Sequence, residues 1–165
     1  MPLIEQGRAI ADAWTTLADD AAVPAEGPVV VGFARWQAER ETLAPRAAPL
    51  GVRLPSNVPA GAIAADLARF ALVVLEFPKF RDGRGFSTAR ELRERYGYTG
   101  EIRAVGHVIA DQYPMLVRCG VSTVEVPETA NLESWAKALN TVTIAYQPGL
   151  TAEEPLALLR RRIAG

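Results

Sequence analysis

The fold is decided by residues 71–106, which read ALVVLEFPKFRDGRGFSTARELRERYGYTGEIRAVG. Two apolar runs, ALVVLEF at 71–77 and EIRAVG at 101–106, enclose a glycine-containing loop and a helical pattern. A strand, a helix and a second strand in this order are typical of a parallel βαβ unit. The stretch therefore predicts two parallel strands joined by a helix at about residues 88–96.

The predicted helix has recognisable ends in the sequence. Thr88 and Glu91 match a capping box at its start, and Gly97 follows its last turn as a left-handed stop signal. Glu91 and Arg95 stand four residues apart with the acid first, which is the favourable order on an exposed helix face.

The same alternation continues on both sides of this unit. Further β-type runs are PVVVGFA at 28–34, GVRL at 51–54 and VSTVEV at 121–126. Strands that are almost continuously apolar, such as Val29–Val31, are typical of a parallel sheet covered on both faces. We expect an α/β fold with a mainly parallel sheet of about five strands flanked by helices, as in a flavodoxin-like three-layer sandwich. Half a TIM barrel of βα units is the alternative, because strand order is not visible in the sequence.

The chain length of 165 residues suits one hydrophobic core. Residues 1–27 end in the Ala/Pro/Gly-rich AAVPAEGP and are predicted to be an N-terminal segment leading to the first strand. Residues 28–165 are then a single α/β domain, and residues 151–165 are predicted to be its terminal helix.

Composition excludes several classes of protein. Eighteen basic and nineteen acidic residues leave a net charge of −1, so neither nucleic acid nor an anionic membrane is an expected partner. One cysteine excludes a disulfide within the chain, and no apolar run approaches the roughly 18 residues of a membrane helix. The start of the chain does not have the pattern of a secretion signal. We expect a cytoplasmic protein.

Charge is unevenly distributed along the chain. Residues 76–103 contain Lys79 and six arginines against five acids, so an anion site is expected there. In a parallel sheet, functional loops gather at the carboxyl ends of the strands. The residues predicted at that edge are Arg35 and Trp36, Ser56 and Asn57, the loop at 77–87, Gly106 and His107, and Glu125 and Glu128.

The loop FPKFRDGRGFS at 77–87 is the sharpest of these features, because its glycines permit unusual backbone conformations and it leads into a helix start. Arginine side chains beside such a loop suit a sulfate, sulfite or phosphate oxygen. The alternative is that Asp82 and the glycines only form the tight turn before the helix. The predicted ligand-binding set is Arg81, Asp82, Gly83, Arg84, Gly85, Ser87, Arg90, Arg103 and Gln112.

Residues for catalysis are few. His107 is a candidate acid or base, with Asp111 one helical turn later to orient it, although a single histidine with no paired nucleophile favours a structural role. Cys119 is either a nucleophile or a small buried core thiol, and its position before Gly120 and Val121 favours the core. The sequence has no phosphate-binding loop, dinucleotide fingerprint or metal-ligand spacing, so neither a cofactor nor a metal is expected.

Residues 77–121 resemble a bacterial family of unknown function that is often described as a probable oxidoreductase of sulfite reduction. The matching elements are Asp82–Gly85, Ser87–Arg90, Leu92–Gly97, Arg103–Gly106, and Asp111 with Gln112. The family pattern has Asp where this chain has His107, and Phe where it has Val121. His107 is therefore not a base that the whole family shares.

The resemblance implies a place in sulfur assimilation, since the genes of this family commonly neighbour those of the sulfite reductase hemoprotein and of adenylylsulfate or phosphoadenylylsulfate reductase. We expect an accessory protein that binds the sulfite reductase or a neighbouring enzyme, with an oxyanion as a second expected ligand. The alternative is a small enzyme acting on a sulfur oxyanion or a sulfonucleotide, in which arginines hold the anion and His107 or Asp111 moves protons.

Overall fold

A computed structural model describes residues 1–141 and Leu150, and it contains an eight-stranded sheet. The strands are β1 Leu3–Glu5, β2 Arg8–Ile10, β3 Thr15–Thr16, β4 Val29–Gly32, β5 Leu50–Leu54, β6 Phe70–Phe77, β7 Glu101–Gly106 and β8 Thr123–Glu125. Their order across the sheet is β2-β1-β8-β7-β6-β5-β4-β3. The helix predicted at 151–165 lies outside the described residues.

The helices that follow the strands β4 to β8 all contribute to one core in the described part of the chain. They are α1 Phe33–Leu43, α2 Arg84–Glu94, α3 Tyr113–Arg118 and α4 Leu132–Leu139, with 3₁₀ helices at Ala60–Arg69 and Ala110–Gln112. Their buried side chains, among them Trp36, Leu92 and Trp135, pack on one face of the sheet. Within residues 1–141 and 150, no helix has the length and apolar character needed to span a membrane.

The prediction of a mixed α/β fold is confirmed, but the sheet is larger than expected. The five predicted strands are present as β4 to β8 and run parallel. Residues 1–27, expected to be only a leading segment, add β1, β2 and β3. β1 pairs antiparallel with β2 and β8, so the sheet is mixed. The domain boundary at Pro28 stays a prediction.

The described residues do not show the expected three-layer arrangement, which stays a prediction. Within residues 1–141 and 150, the second face of the sheet presents Val30, Leu72, Val74 and Val105, and the residue that packs against them is Trp14 from the N-terminal segment rather than a helix. The apolar strand pattern correctly indicates burial on both faces but does not show what covers each face. From β3 to β8 the strand order follows the chain order, as in the alternative of successive βα units.

The second face is concave, because a short connection crosses it. Residues 11–14, which we call the strap, join β2 at one edge of the sheet to β3 at the other. The five steps from Ile10 to Thr15 span at most about 18 Å, whereas the outer strands of a flat eight-stranded sheet lie about 34 Å apart. The sheet must therefore curl until its edges approach each other.

Helix α2 begins earlier than the sequence indicates. Its first residue is Arg84, and the Thr88 hydroxyl donates a hydrogen bond of 3.1 Å to the Arg84 carbonyl oxygen within the helix. The predicted capping box at Thr88 is therefore wrong. The stop at Gly97 is confirmed by its φ of +62°, and the Glu91–Arg95 ion pair by its separation of 3.0 Å.

The start of α2 depends on close packing at Gly85. A Cβ atom at Gly85 would collide with the Phe77 ring, whereas one at Gly83 would have no neighbour within 4 Å. We predict that Gly85→Ala lowers the free energy of unfolding by about 1–3 kcal/mol, because the ring must shift in a packed core. Urea denaturation measures this loss.

The control is Gly83→Ala, two residues earlier. Gly83 has a φ of −84°, which alanine adopts without strain. The lower entropy of the unfolded chain and the poorer helix cap offset each other, so we expect a change below about 0.5 kcal/mol. Equal losses in the two variants would contradict this account of the helix start.

Candidate functional site

The carboxyl ends of the parallel strands form one edge of the curled sheet. In the middle of that edge, β5 leads to Ser56, β6 leads to residues 78–83, and β7 leads to residues 107–109. Since β6 pairs with β5 on one side and β7 on the other, these three loops are neighbours. The prediction that these loops meet at one edge agrees with the observed strand order.

The loop after β6 is closed by an ion pair. The Arg84 guanidinium donates to Asp82 through Nε at 2.8 Å and Nη2 at 2.6 Å. The same Nη2 atom donates to the Ser56 hydroxyl oxygen at 2.9 Å, which ties the β5 loop to the β6 loop. Hydrogen bonds from Arg84 and Ser56 hold the pKa of the Asp82 carboxyl well below its ordinary value. The charge of Arg84 is therefore already balanced by Asp82.

The glycines of this loop do not have the unusual backbone conformations that we expected. Gly83 has φ −84° and ψ 0°, and Gly85 lies in the first turn of α2. The glycine that requires its conformation is Gly106, with φ +101° and a Cβ position only 2.5 Å from the Phe77 carbonyl oxygen. That oxygen accepts a hydrogen bond of 2.7 Å from the His107 amide, so the end of β7 lies tightly against β6.

Gln112 connects the β6 and β7 loops. Its side-chain Nε2 donates to the Phe80 carbonyl oxygen at 3.2 Å, and its Oε1 accepts from the Ile109 amide at 3.3 Å. Both residues that it holds are large, apolar and exposed, with 54% of Phe80 and 41% of Ile109 accessible. The sequence placed Gln112 in the ligand set, and the structure gives it the geometry of a bridge between the backbones of two exposed apolar residues at the edge.

Basic residues border this apolar pair. Lys79 and Arg81 flank Phe80 in the chain, and both are exposed. Within residues 1–141 and 150, neither side chain has an ion-pair partner. His107 is also exposed, in the loop that carries Ile109. We call Lys79, Phe80, Arg81, His107 and Ile109 the edge patch.

Other residues of the predicted ligand set lie apart from one another. Arg90 pairs with Glu94 at 2.9 Å on the exposed side of α2, where Ser87 is also exposed. Arg103 is buried on the concave face, with 5% of its side chain accessible, and it pairs with Asp12 and Glu101. The structure therefore does not bring these two arginines together with Arg84.

The proposed catalytic pair has no supporting contact. In the part of the chain that the structure describes, neither the His107 nor the Asp111 side chain makes a hydrogen bond or ion pair. Arg35 and Trp36, also expected at the edge, are buried. Arg35 donates to the carbonyl oxygens of Ala18 and Ala21 at 2.7 Å each, and the Trp36 indole donates to Asp66 at 3.1 Å. Both residues support the fold.

The two apolar residues of the edge patch are not predicted by the charged and titratable groups of the sequence. A signal for them was present, because Phe80 and Ile109 are large apolar residues in loops that follow neighbouring predicted strands. Such residues have no strand or helix face on which to be buried. The described residues contain no group of three or more His, Cys, Asp or Glu side chains that could hold a metal ion.

The fold and the edge define an α/β protein with a curled sheet and an exposed apolar and basic surface at the carboxyl ends of its strands. The chain matches the family described as "Bacterial protein of unknown function (DUF934)" over residues 51–157, and it belongs to that family. The matched range includes all of β5 except its first residue, β6 to β8 and the whole edge patch. No curated protein sequence matches the chain.

The reactivity of Cys119 tests whether its thiol is buried in the core. The residue is buried at the end of α3, and burial raises the pKa of its thiol above the ordinary value. A raised pKa leaves less of the nucleophilic thiolate at pH 8. We predict that Cys119 of the folded protein reacts with Ellman's reagent at least about tenfold more slowly than after unfolding in urea. A native rate equal to the unfolded rate would contradict the burial.

Proposed function

We propose that this protein is a cytoplasmic accessory protein of assimilatory sulfate and sulfite reduction. It binds the sulfite reductase hemoprotein, or a neighbouring enzyme of sulfur assimilation, through the edge patch. The observation that carries the proposal is the pair of exposed apolar residues, Phe80 and Ile109, whose backbones are joined by the Gln112 side chain. The choice of partner rests on the resemblance of residues 77–121 to a family associated with sulfite reduction.

The geometry favours a docking surface over an oxyanion enzyme. An enzyme of that kind needs several free cations directed at one point. Here Arg84 is bound by Asp82, Arg90 by Glu94, and Arg103 is buried on another face. Arg81 is the exposed arginine of the edge that has no ion-pair partner among the described residues.

The edge patch has the composition of a binding surface. Aromatic and arginine side chains contribute much of the affinity of protein interfaces, especially when the apolar group enters a pocket of the partner. Lys79 and Arg81 beside Phe80 favour a partner with acidic residues around such a pocket. Because Gln112 holds both loops, little conformational freedom is lost on binding.

The experiment is a pull-down of the tagged protein from its own cells grown on sulfate, with the retained proteins identified by mass spectrometry. We expect the wild type to retain the sulfite reductase hemoprotein or a neighbouring enzyme of the pathway. In the double variant Phe80→Ala/Ile109→Ala, we expect retention to fall about tenfold or more, because truncated interface anchors lose that much affinity.

The matched control is Met115→Ala on α3. Met115 is 52% exposed, almost as much as Phe80, but it lies outside the edge patch, so retention should equal that of the wild type. If the wild type retains no enzyme of sulfur assimilation, the proposed function is wrong. If the double variant retains the enzyme as well as the wild type does, the partner stands and the edge patch is not its binding surface.

An anion test separates the docking protein from the enzyme. Because Asp82 balances the charge of Arg84, we predict that sulfate, sulfite and adenylylsulfate leave the melting temperature of the wild type unchanged. Asp82→Asn removes that negative charge, so the variant should gain a measurable rise with sulfate. The control is Asp111→Asn, which removes an exposed acid that pairs with no described residue. A large rise in the wild type with one of these anions would favour the enzyme.

A further inference from the structure

Among the described residues, the strap is attached to the concave face by two side chains. Asp12 forms an ion pair of 2.8 Å with Arg103, and Trp14 packs against Val30, Leu72, Val74 and Val105. Among residues 1–141 and 150, the strap backbone makes no hydrogen bond to the sheet, since the Trp14 amide is bound by the Asp12 side chain at 3.0 Å. Ala11, Asp12 and Ala13 are exposed.

The groove under the strap is formed by other parts of the chain. Its floor consists of the four apolar residues on β4, β6 and β7 together with Arg103. Arg103 is held independently of the strap, because its Nε and Nη2 atoms donate to Glu101 at 3.2 and 3.0 Å. The Thr123 hydroxyl donates to the same Glu101 oxygen at 2.5 Å. Removing Asp12 therefore leaves the guanidinium in place with one donor free.

Most residues that form the floor of the groove lie far from the strap in the sequence. The floor residues Leu72, Val74, Arg103 and Val105 lie within residues 51–157, the range that matches the family. The strap lies outside that range. The floor thus combines an apolar surface with a buried cation, and the present occupant complements it with an indole and a carboxylate two residues apart.

We propose that this groove is a second binding site, which takes an extended segment of a partner protein carrying an acidic residue two positions before an aromatic residue. The strap occupies the groove in the isolated chain and competes with that segment. The strap offers the same chemistry as the ligand, an acid for Arg103 and an aromatic ring for the apolar floor, so exchange replaces each contact with an equivalent one. The proposal does not depend on the edge patch.

The probe is a fluorescent synthetic peptide with the sequence of residues 9–16, AIADAWTT, and binding is measured by fluorescence anisotropy. In the protein, Asp12→Asn/Trp14→Ala removes both attachments of the strap. We expect the peptide to bind this variant at least about tenfold more tightly than the wild type, because the competing intramolecular contact is lost. A peptide with alanine in place of its tryptophan should not bind.

Three controls define the site. Asp20→Asn removes an exposed acid without a partner among the described residues and should leave peptide binding as in the wild type. Arg103→Gln in the double variant should abolish binding, because the carboxylate of the peptide loses its cation. Phe80→Ala in the double variant should leave binding unchanged, which separates this site from the edge patch.

The single variant Asp12→Asn decides the question if the double variant does not fold. It keeps Trp14 and removes the ion pair, so acrylamide should quench the tryptophan fluorescence more strongly and the peptide should bind more tightly than to the wild type. The other two tryptophans, Trp36 and Trp135, are buried and report little of this change. A folded double variant that binds no better than the wild type would overturn the proposal. Unchanged quenching and binding in Asp12→Asn, when the double variant is unfolded, would overturn it too.

Discussion

In the part of the chain that the structure describes, the fold depends on how one face of the sheet is covered without helices. Parallel strands joined in chain order by right-handed crossovers place their connecting helices on the same side of a sheet. From β3 to β8 the strands follow the chain order, and the helix residues enter the same core. The opposite face also carries apolar residues, including Leu72 and Val74, and these need another cover. Curling of the sheet and the indole of Trp14 provide it.

The same arrangement leaves the loops of the carboxyl edge uncovered. The helices cover one face and the strap crosses the other, and neither covers the exposed residues Phe80 and Ile109 in the loops after β6 and β7. These loops are nevertheless well held. Arg84 joins the β5 and β6 loops through Ser56, and Gln112 joins the β6 and β7 loops through the backbone of Phe80 and Ile109. A rigid edge that carries exposed apolar groups suits recognition of another protein.

The sequence predicted those elements whose determinants are local. The long apolar runs locate β4 to β8, and Gly97 marks the end of α2, because strand burial and a left-handed stop each depend on a few consecutive residues. The strands β1 to β3 were missed because they are two or three residues long. β2 and β3 are exposed, and the two buried residues of β1, Leu3 and Ile4, are too few to make a strand pattern. Their existence depends on pairing with distant parts of the chain.

The site was predictable to the same extent. Strand ends indicate which loops lie at the carboxyl edge, whereas the contact between Arg84 and Ser56 also depends on the pairing of β5 with β6, which the sequence does not show. Which charges remain free does not follow, because it depends on side-chain pairing in three dimensions. Arg103 has the local sequence of a ligand residue, but its partner Asp12 is 91 positions away and reaches it only because the strap crosses the curled sheet. An arginine-rich stretch therefore indicates an anion site only when it is known which of its arginines already pair with acidic residues of the same chain.

Two candidate binding surfaces remain once these ion pairs are known. They differ in whether they are open or occupied in the isolated chain. The edge patch is preorganised, since Gln112 fixes the backbones of Phe80 and Ile109, whose side chains are exposed in the isolated chain. The concave groove is occupied by residues of the same chain, so its affinity for any partner is lowered by the affinity of the strap. The edge patch therefore suits a partner that can bind at any time. The concave groove suits only a partner that offers both an acid and an aromatic ring. The curl of the sheet produces both, because it leaves the strand ends open and brings Asp12 and Trp14 onto the concave face.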